Sequence, residues 1–318
     1  MAEEARAVPA YKDRLPGALS TEAARLSEML PHLVVEARNV AAQLQLGIHG
    51  RRRPGPGEEF WEFRPFIAGE SAQRIDWRRS ARDDRLFVRE REWESASVHW
   101  LWFDMSPSMH FASTIAGKPK RDRALVLGLA LAELLVHAGE RVGLLGRTNP
   151  IASRSIIMRL AEALMRAAPR MNEEMAAPFP GDMPMRRQDH VILIGDFIMP
   201  TADFATGLAR LAQRGVRGTV VLVRDPVEET FPFGGEVEFE GLEESEIWRV
   251  GDALDVASRY RQRIADVNEE LRRITLAQGF HFLRHVTARA PAEALLALAA
   301  MIGGHPPPKS TVRSEVEA

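Results

Sequence analysis

Aspartate and serine alternate in the stretch Asp104-Met105-Ser106-Pro107-Ser108, directly after the apolar run VHWLWF. A second aspartate, Asp196, closes another apolar run, VILIG. In an open α/β sheet, ligands bind outside the carboxyl ends of the strands. Two carboxylates brought together there repel each other unless a proton or a cation neutralises one. Serine hydroxyls two residues apart in a tight loop can face the same way and add neutral oxygen donors. Hard oxygen donors carrying few charges suit Mg²⁺, or Mn²⁺, better than a soft metal. On this reading Asp104, Ser106, Ser108 and Asp196 are metal ligands. Asp196→Asn is then expected to be tolerated by the metal-free protein, because it relieves repulsion. The plainer reading is that Asp104 and Ser106 cap turns.

These residues need elements to position them. Short apolar runs at 98–103, 141–146, 190–196 and 217–225 read as buried strands, and GFHFLRHV at 279–286 as a fifth. Helical segments alternate with them: 121–139, 153–168, 203–215, 254–279 and a last one from Pro291. Gly139 and Gly215 stand where helix C-terminal caps belong. This alternation implies a mostly parallel sheet covered on both faces. The Gly/Pro-rich stretch at 231–250 reads as a β-hairpin. Upstream, an apolar spacing of three to four residues predicts a helix over 21–46, kinked or split at Pro31. Residues 86–92 read as a strand. The expected organisation is an arm over 1–20, a helix and charged segment over 21–95, the sheet domain over 96–302, and a disordered tail over 303–318.

Bulk properties exclude several classes. The 318 residues are 45% hydrophobic and 27% charged, with 42 basic against 44 acidic side chains. A net charge of −2 gives no long-range attraction to nucleic acid or an anionic membrane. The absence of cysteine excludes disulfides, thiolate nucleophiles and Cys-based metal sites, and is compatible with a cytoplasmic location. No apolar run reaches the ~20 residues needed to span a bilayer, and no secretory signal opens the chain. The G-x-x-x-x-G-K-[ST], G-x-S-x-G and H-E-x-x-H motifs are also missing. His281 and His285 read as strand residues rather than a helical ligand pair.

The D-x-S-x-S stretch after one strand, with Asp196 after a later one, resembles the metal-ion-dependent adhesion site of von Willebrand factor A domains. Upstream, Arg64, Phe66, Gly69, Glu70, Arg74, Ile75, Asp76, Trp77, Ser80, Ala81 and Arg82 resemble the signature of the family called domain of unknown function 58. The resemblance spans roughly residues 50–300. It implies a von Willebrand factor A-like, doubly wound sheet and a Mg²⁺-dependent site that binds an acidic group on a partner. It also implies a MoxR-type AAA ATPase as companion, in chaperone-like assembly or maturation of a client protein. An adhesion site usually takes a threonine from the loop after the second strand, where Thr148 is the candidate beside Ser153 and Ser155. Glu70 stands where the family usually has Asp, and Pro107 where an adhesion site often has Gly.

Residues 51–93 carry eleven arginines and nine acidic residues, a balance of about +2. That is too even for a stripe that tracks phosphates. Two readings remain: an ion-paired cap with Phe63 and Trp77 packed inward, or a docking surface built on Arg64, Glu70, Arg74, Asp76, Trp77 and Arg82. The expected function is a non-enzymatic interaction module. The rival is a metal-dependent hydrolase in which Asp104 and Asp196 hold Mg²⁺ for phosphoryl chemistry.

Overall fold

A computed structural model describes residues 16–48, 60–67, 75–81, 85–91, 96–167, 179–181, 185–240 and 247–303. Most of the expected arm, the expected tail, and Glu70, Arg74 and Arg82 lie outside them. The chain divides into two compact units, residues 47–96 and the remainder.

The smaller unit holds strands β1 (Phe60–Pro65) and β2 (Phe87–Arg91), paired antiparallel with Phe63 opposite Arg89 and Pro65 opposite Phe87. Arg64 lies in β1. A single helical turn, α2 (Trp77–Ser80), stands between them, and its Ser80 hydroxyl accepts the Phe87 N–H at 2.9 Å. The Asp76 N–H donates to the Phe87 carbonyl at 2.9 Å. Buried Ile75 and Ser80 flank the turn, whereas Trp77 is 62% exposed. The expected inward packing of Trp77 is thus corrected: the first residue of the turn points its indole outward.

In the larger unit, helix α1 runs unbroken over Pro16–Ile48 with Pro31 inside it. It starts within the expected arm, and the expected split at Pro31 does not occur. Pro31 sits on the exposed face. Leu30, Leu33, Val34, Ala37, Val40 and Ala41 are buried on the other face, and this packing outweighs the one missing helical hydrogen bond.

Five strands form the main sheet: β3 (Val98–Phe103), β4 (Arg141–Leu144), β5 (His190–Gly195), β6 (Arg217–Arg224) and β9 (His281–Val286). Their order is β4-β3-β5-β6-β9, and every pairing is parallel. A separate antiparallel hairpin, β7 (Val237–Glu240) and β8 (Ile247–Val250), precedes the long helix α7. The helices are α3 (Lys120–His137), α4 (Ile156–Ala167), α5 (Thr201–Gln213), the short α6 (Pro226–Thr230), α7 (Ala253–Ala277) and α8 (Pro291–Ile302).

The strands alternate their side chains between two cores. Leu101, Phe103, Ile192, Ile194, Val221 and Val223 face α1, α3, α4 and α8. Trp100, Val191, Leu193, Val220 and Leu222 face α5 and α7. Gly128 lets α3 lie close on the sheet: a methyl group there would stand 2.4 Å from the Phe103 ring. Among the described residues no helix is long and apolar enough to cross a membrane.

The chain reverses its direction of strand addition at β3, with β4 on one side and β5 on the other. This is the topological switch of an open parallel sheet, where a crevice forms beyond the strand ends.

At the opposite, amino-terminal edge, His99 and His190 are register partners on β3 and β5, with ring centroids 5.5 Å apart. The His190 ring pairs with the Thr219 hydroxyl at 2.9 Å. Burial lowers His99 to about 4, against a smaller upward pull from Asp189, and lowers His190 to about 3. Both imidazoles fold neutral, while the unfolded chain takes up protons below its ordinary histidine value of 6.5. Their contribution is present above 6.5 and is lost as pH falls toward 4. Thermal unfolding followed from pH 7 to 4 should therefore show a shallower fall in Tm for His99→Gln/His190→Gln than for the wild type. Parallel curves would contradict the neutral-pair assignment.

Candidate functional site

Phe103 is the last residue of β3, and the Asp104 N–H continues the pairing to the Ile194 carbonyl at 2.9 Å. Asp104 is therefore carried past the strand end beside β5, 4% exposed. Its Oδ1 accepts the Ser106 N–H at 2.9 Å. Pro107 then opens a 3-10 turn, Pro107–His110, whose fixed φ suits a first helical position. This turn brings the Ser106 and Ser108 hydroxyls to 3.0 Å from each other. Ser108 and Met109 are buried, which anchors the turn in the core.

On the neighbouring strand, Gly195 gives way to Asp196, which is fully buried. A methyl group at Gly195 would lie 2.4 Å from the Asp104 Cβ, so the two strand ends approach this closely only with glycine there. The next residue, Phe197, adopts a left-handed φ of 50°. Its N–H donates to Asp104, and its ring packs on Phe204. The Asp196 Oδ1 accepts the Ile198 N–H at 3.3 Å, and the Ser108 hydroxyl donates to the same carboxylate.

Sequence reasoning did not single out Lys120. Its side chain is fully buried, and its Nζ donates to Asp196 Oδ2 at 2.8 Å and to Glu228 Oε1. Glu228 is held on its other side, where Oε2 accepts the Asp225 N–H at 2.9 Å in the capping box of α6. Asp225 in turn accepts from Ser113 and Val227. Arg224 approaches Asp196 as well and donates to the Asn268 side chain at 3.2 and 3.1 Å. One signal for Lys120 was present in the sequence. Among 42 basic residues only Lys12, Lys118, Lys120 and Lys309 are lysines. A chain so rich in arginine uses lysine where a compact ammonium fits and a planar guanidinium does not.

The two aspartates therefore differ. Burial pushes the Asp104 carboxyl up to about 7, and the nearby Asp196 charge adds to this against its hydrogen bonds from Ser106 and Phe197. Burial would also raise Asp196, but attraction and hydrogen bonding from Lys120 hold it below the usual carboxylate range. Lys120 itself would be lowered by burial, and its two carboxylate partners raise it instead. Asp104 has no basic side chain at ion-pair distance among the described residues. Thr148 lies in the turn after β4, where its hydroxyl accepts the Leu144 N–H at 2.8 Å. Ser153 and Ser155 pair with each other at 3.0 Å ahead of α4.

Comparison with known proteins finds a family match. The family described as "Protein of unknown function DUF58" matches residues 62–272. Curated relatives include the uncharacterized protein Mb1516 of Mycobacterium bovis and the uncharacterized protein Rv1480 of Mycobacterium tuberculosis. Each is 27% identical over 201 residues, covering 60% of this chain and 62% of the relative. The match thus spans less than two thirds of those relatives' length. Among solved structures, the conserved hypothetical protein BatB from Bacteroides thetaiotaomicron aligns with 66% of this chain and 98% of its own, at 12% identity and a TM-score of 0.35. An uncharacterized membrane spanning protein from Vibrio fischeri aligns with 65% of this chain and 98% of its own, at 14% identity and a TM-score of 0.18. Likeness this slight adds nothing to the strand order above.

The lysine reverses the expectation that Asp196→Asn is tolerated. Removing one member of a buried ion pair costs ~3–5 kcal/mol where the other is left uncompensated. Here Lys120 keeps Glu228, so in EDTA Asp196→Asn should lower the unfolding free energy by part of that amount, up to ~3 kcal/mol, and Asp104→Asn by clearly less. Chemical denaturation of the two variants checks this. Equal losses, or a larger loss for Asp104→Asn, would contradict the charge assignment.

Proposed function

The chain belongs to the family of proteins of unknown function DUF58, and from that premise and the geometry at the strand switch we propose a non-enzymatic protein-interaction module. On this reading the sheet domain is von Willebrand factor A-like and binds a partner's acidic group through a divalent cation, Mg²⁺ or Mn²⁺. The companion is a MoxR-type AAA ATPase, acting with the module on a client protein. The observation that carries the reading is the buried Asp104 carboxylate, unmatched by a cationic side chain and set beside two converging serine hydroxyls.

The donor set fits such an ion. Asp104, Ser106 and Ser108 offer one carboxylate and two hydroxyl oxygens, the hard donors that Mg²⁺ and Mn²⁺ take. The charges fit as well. Lys120 is taken up by Asp196 and Glu228, which leaves Asp104 with no basic side chain at ion-pair distance among the described residues. When bound, the ion supplies an electrophilic position that a partner carboxylate can fill. The chain's own residues orient it: Ser106 and Phe197 N–H groups fix Asp104, and the Pro107 turn fixes the hydroxyls. Ile198, 49% exposed and two residues from Asp196, offers an apolar contact beside the site. A hydrolase would need Asp196 as a metal ligand, and the salt bridge to Lys120 favours the interaction reading.

Millimolar Mg²⁺ or Mn²⁺ should raise the wild-type Tm. A hundredfold excess over Kd adds about 2.7 kcal/mol, which is roughly 5–10 °C for a domain of this size. Immobilised protein should capture a purified MoxR-type ATPase in Mg²⁺ and release it in EDTA. Ser106→Ala/Ser108→Ala should abolish capture with an unchanged circular dichroism spectrum. Equal capture in EDTA and Mg²⁺ would sink the cation-dependent reading and shift attention to residues 51–93.

A further inference from the structure

Resting on the cation site just proposed, we propose that Lys120 is the resident counter-ion of that site and sets its affinity. The ammonium occupies Asp196, so a divalent ion meets one free carboxylate, Asp104, in place of two. Lys120 is a positioning residue: it acts on the metal through Asp196.

Three observations carry this. The Lys120 side chain is fully buried, and its ammonium lies 2.8 Å from the Asp196 carboxylate, one of the two aspartates that end adjacent strands at the switch. The ammonium is held a second time by Glu228, which is itself fixed by the Asp225 N–H. Asp196 is likewise pinned, with Ile198 N–H on its other oxygen. Lys120 is also placed by the fold and not by a flexible loop. It is the first residue of α3, and its own N–H donates to the Phe111 carbonyl at 3.2 Å.

The consequence is a competition of two cations for one carboxylate. The fixed positive charge of Lys120 repels an incoming divalent ion and withholds the second anionic ligand. Replacing the ammonium with an uncharged chain of similar length frees Asp196 to join Asp104. Lys120→Met therefore trades a site neutralised from within for one that depends on added metal. Metal-free, it is less stable than the wild type, since Asp196 and Glu228 lose their partner. With cation added, it gains more than the wild type gains.

The test is a double-mutant cycle on divalent binding, read by Mn²⁺ titration with electron paramagnetic resonance and by Tm in EDTA, Mg²⁺ and Mn²⁺. Lys120→Met should bind Mn²⁺ about tenfold more tightly than the wild type and show the larger cation-induced rise in Tm. Lys120→Met/Asp196→Asn should lose that gain, since contacting groups couple and the added affinity runs through Asp196. A Lys120→Met protein that binds Mn²⁺ no better than the wild type overturns the inference while leaving the cation site standing. So does a double variant that keeps the gain. If none of these proteins responds to either ion, the cation site and the inference fall together. Should Lys120→Met not fold even with cation present, Glu228→Gln decides. It leaves the ammonium to Asp196 alone and should weaken Mn²⁺ binding, and unchanged or tighter binding rejects the proposal.

Discussion

The salt bridge of Lys120 with Asp196 and Glu228 is the interaction on which the carboxyl edge of this sheet depends. It joins three parts of the chain: the first turn of α3, the end of β5, and the capping box of α6 after β6. Charges this deeply buried are tolerated only when each finds a partner and its remaining hydrogen bonds are met. Here the ammonium has two carboxylates, Asp196 has the Ile198 N–H, and Glu228 has the Asp225 N–H. The network leaves Asp104 out. That carboxyl is hydrogen-bonded by backbone N–H groups, and burial, with the neighbouring Asp196 charge, raises it, so it is left to a proton or an added cation. On the proposed reading, a partner carboxylate arriving at a cation there would supply a second negative ligand.

The rest of the larger unit serves to hold these ends in place. The sheet buries both faces, and the order of its strands puts β3 beside β5 at the switch. Gly195 allows the close approach of Asp104, and Gly128 allows α3 to settle on Phe103 and so brings its first residue, Lys120, to the edge. Phe197 adopts an unfavourable left-handed conformation. Its ring among Trp102 and Phe204 compensates, and its N–H reaches Asp104. Strain at such a position persists only where surrounding packing fixes it.

Much of this was legible in the sequence, because it rests on local pattern. Continuous apolar runs gave the five parallel strands, and Gly139 and Gly215 ended α3 and α5 with positive φ. The convergence of Asp104 and Asp196 followed from their places at strand ends. What stayed hidden depends on contacts distant in sequence. Lys120 meets Asp196 across 76 positions and Glu228 across 108, and no local spacing marks such a pair. The continuity of α1 through Pro31 was hidden for a related reason. The lost hydrogen bond is local, while the packing of Leu30, Leu33 and Val34 that outweighs it is tertiary. Trp77 shows the opposite error: an aromatic amid charge was read as packed inward, and it is 62% exposed.

The most direct measurement is a crystal structure of the wild-type protein soaked in Mn²⁺, with anomalous data collected to locate the ion. The account predicts one peak at ~2.0–2.2 Å from oxygens of Asp104, Ser106 and Ser108, with the Lys120 ammonium still bonded to Asp196. An ion ligated directly by Asp196 with Lys120 displaced, or no ion at these oxygens at saturating Mn²⁺, would contradict it.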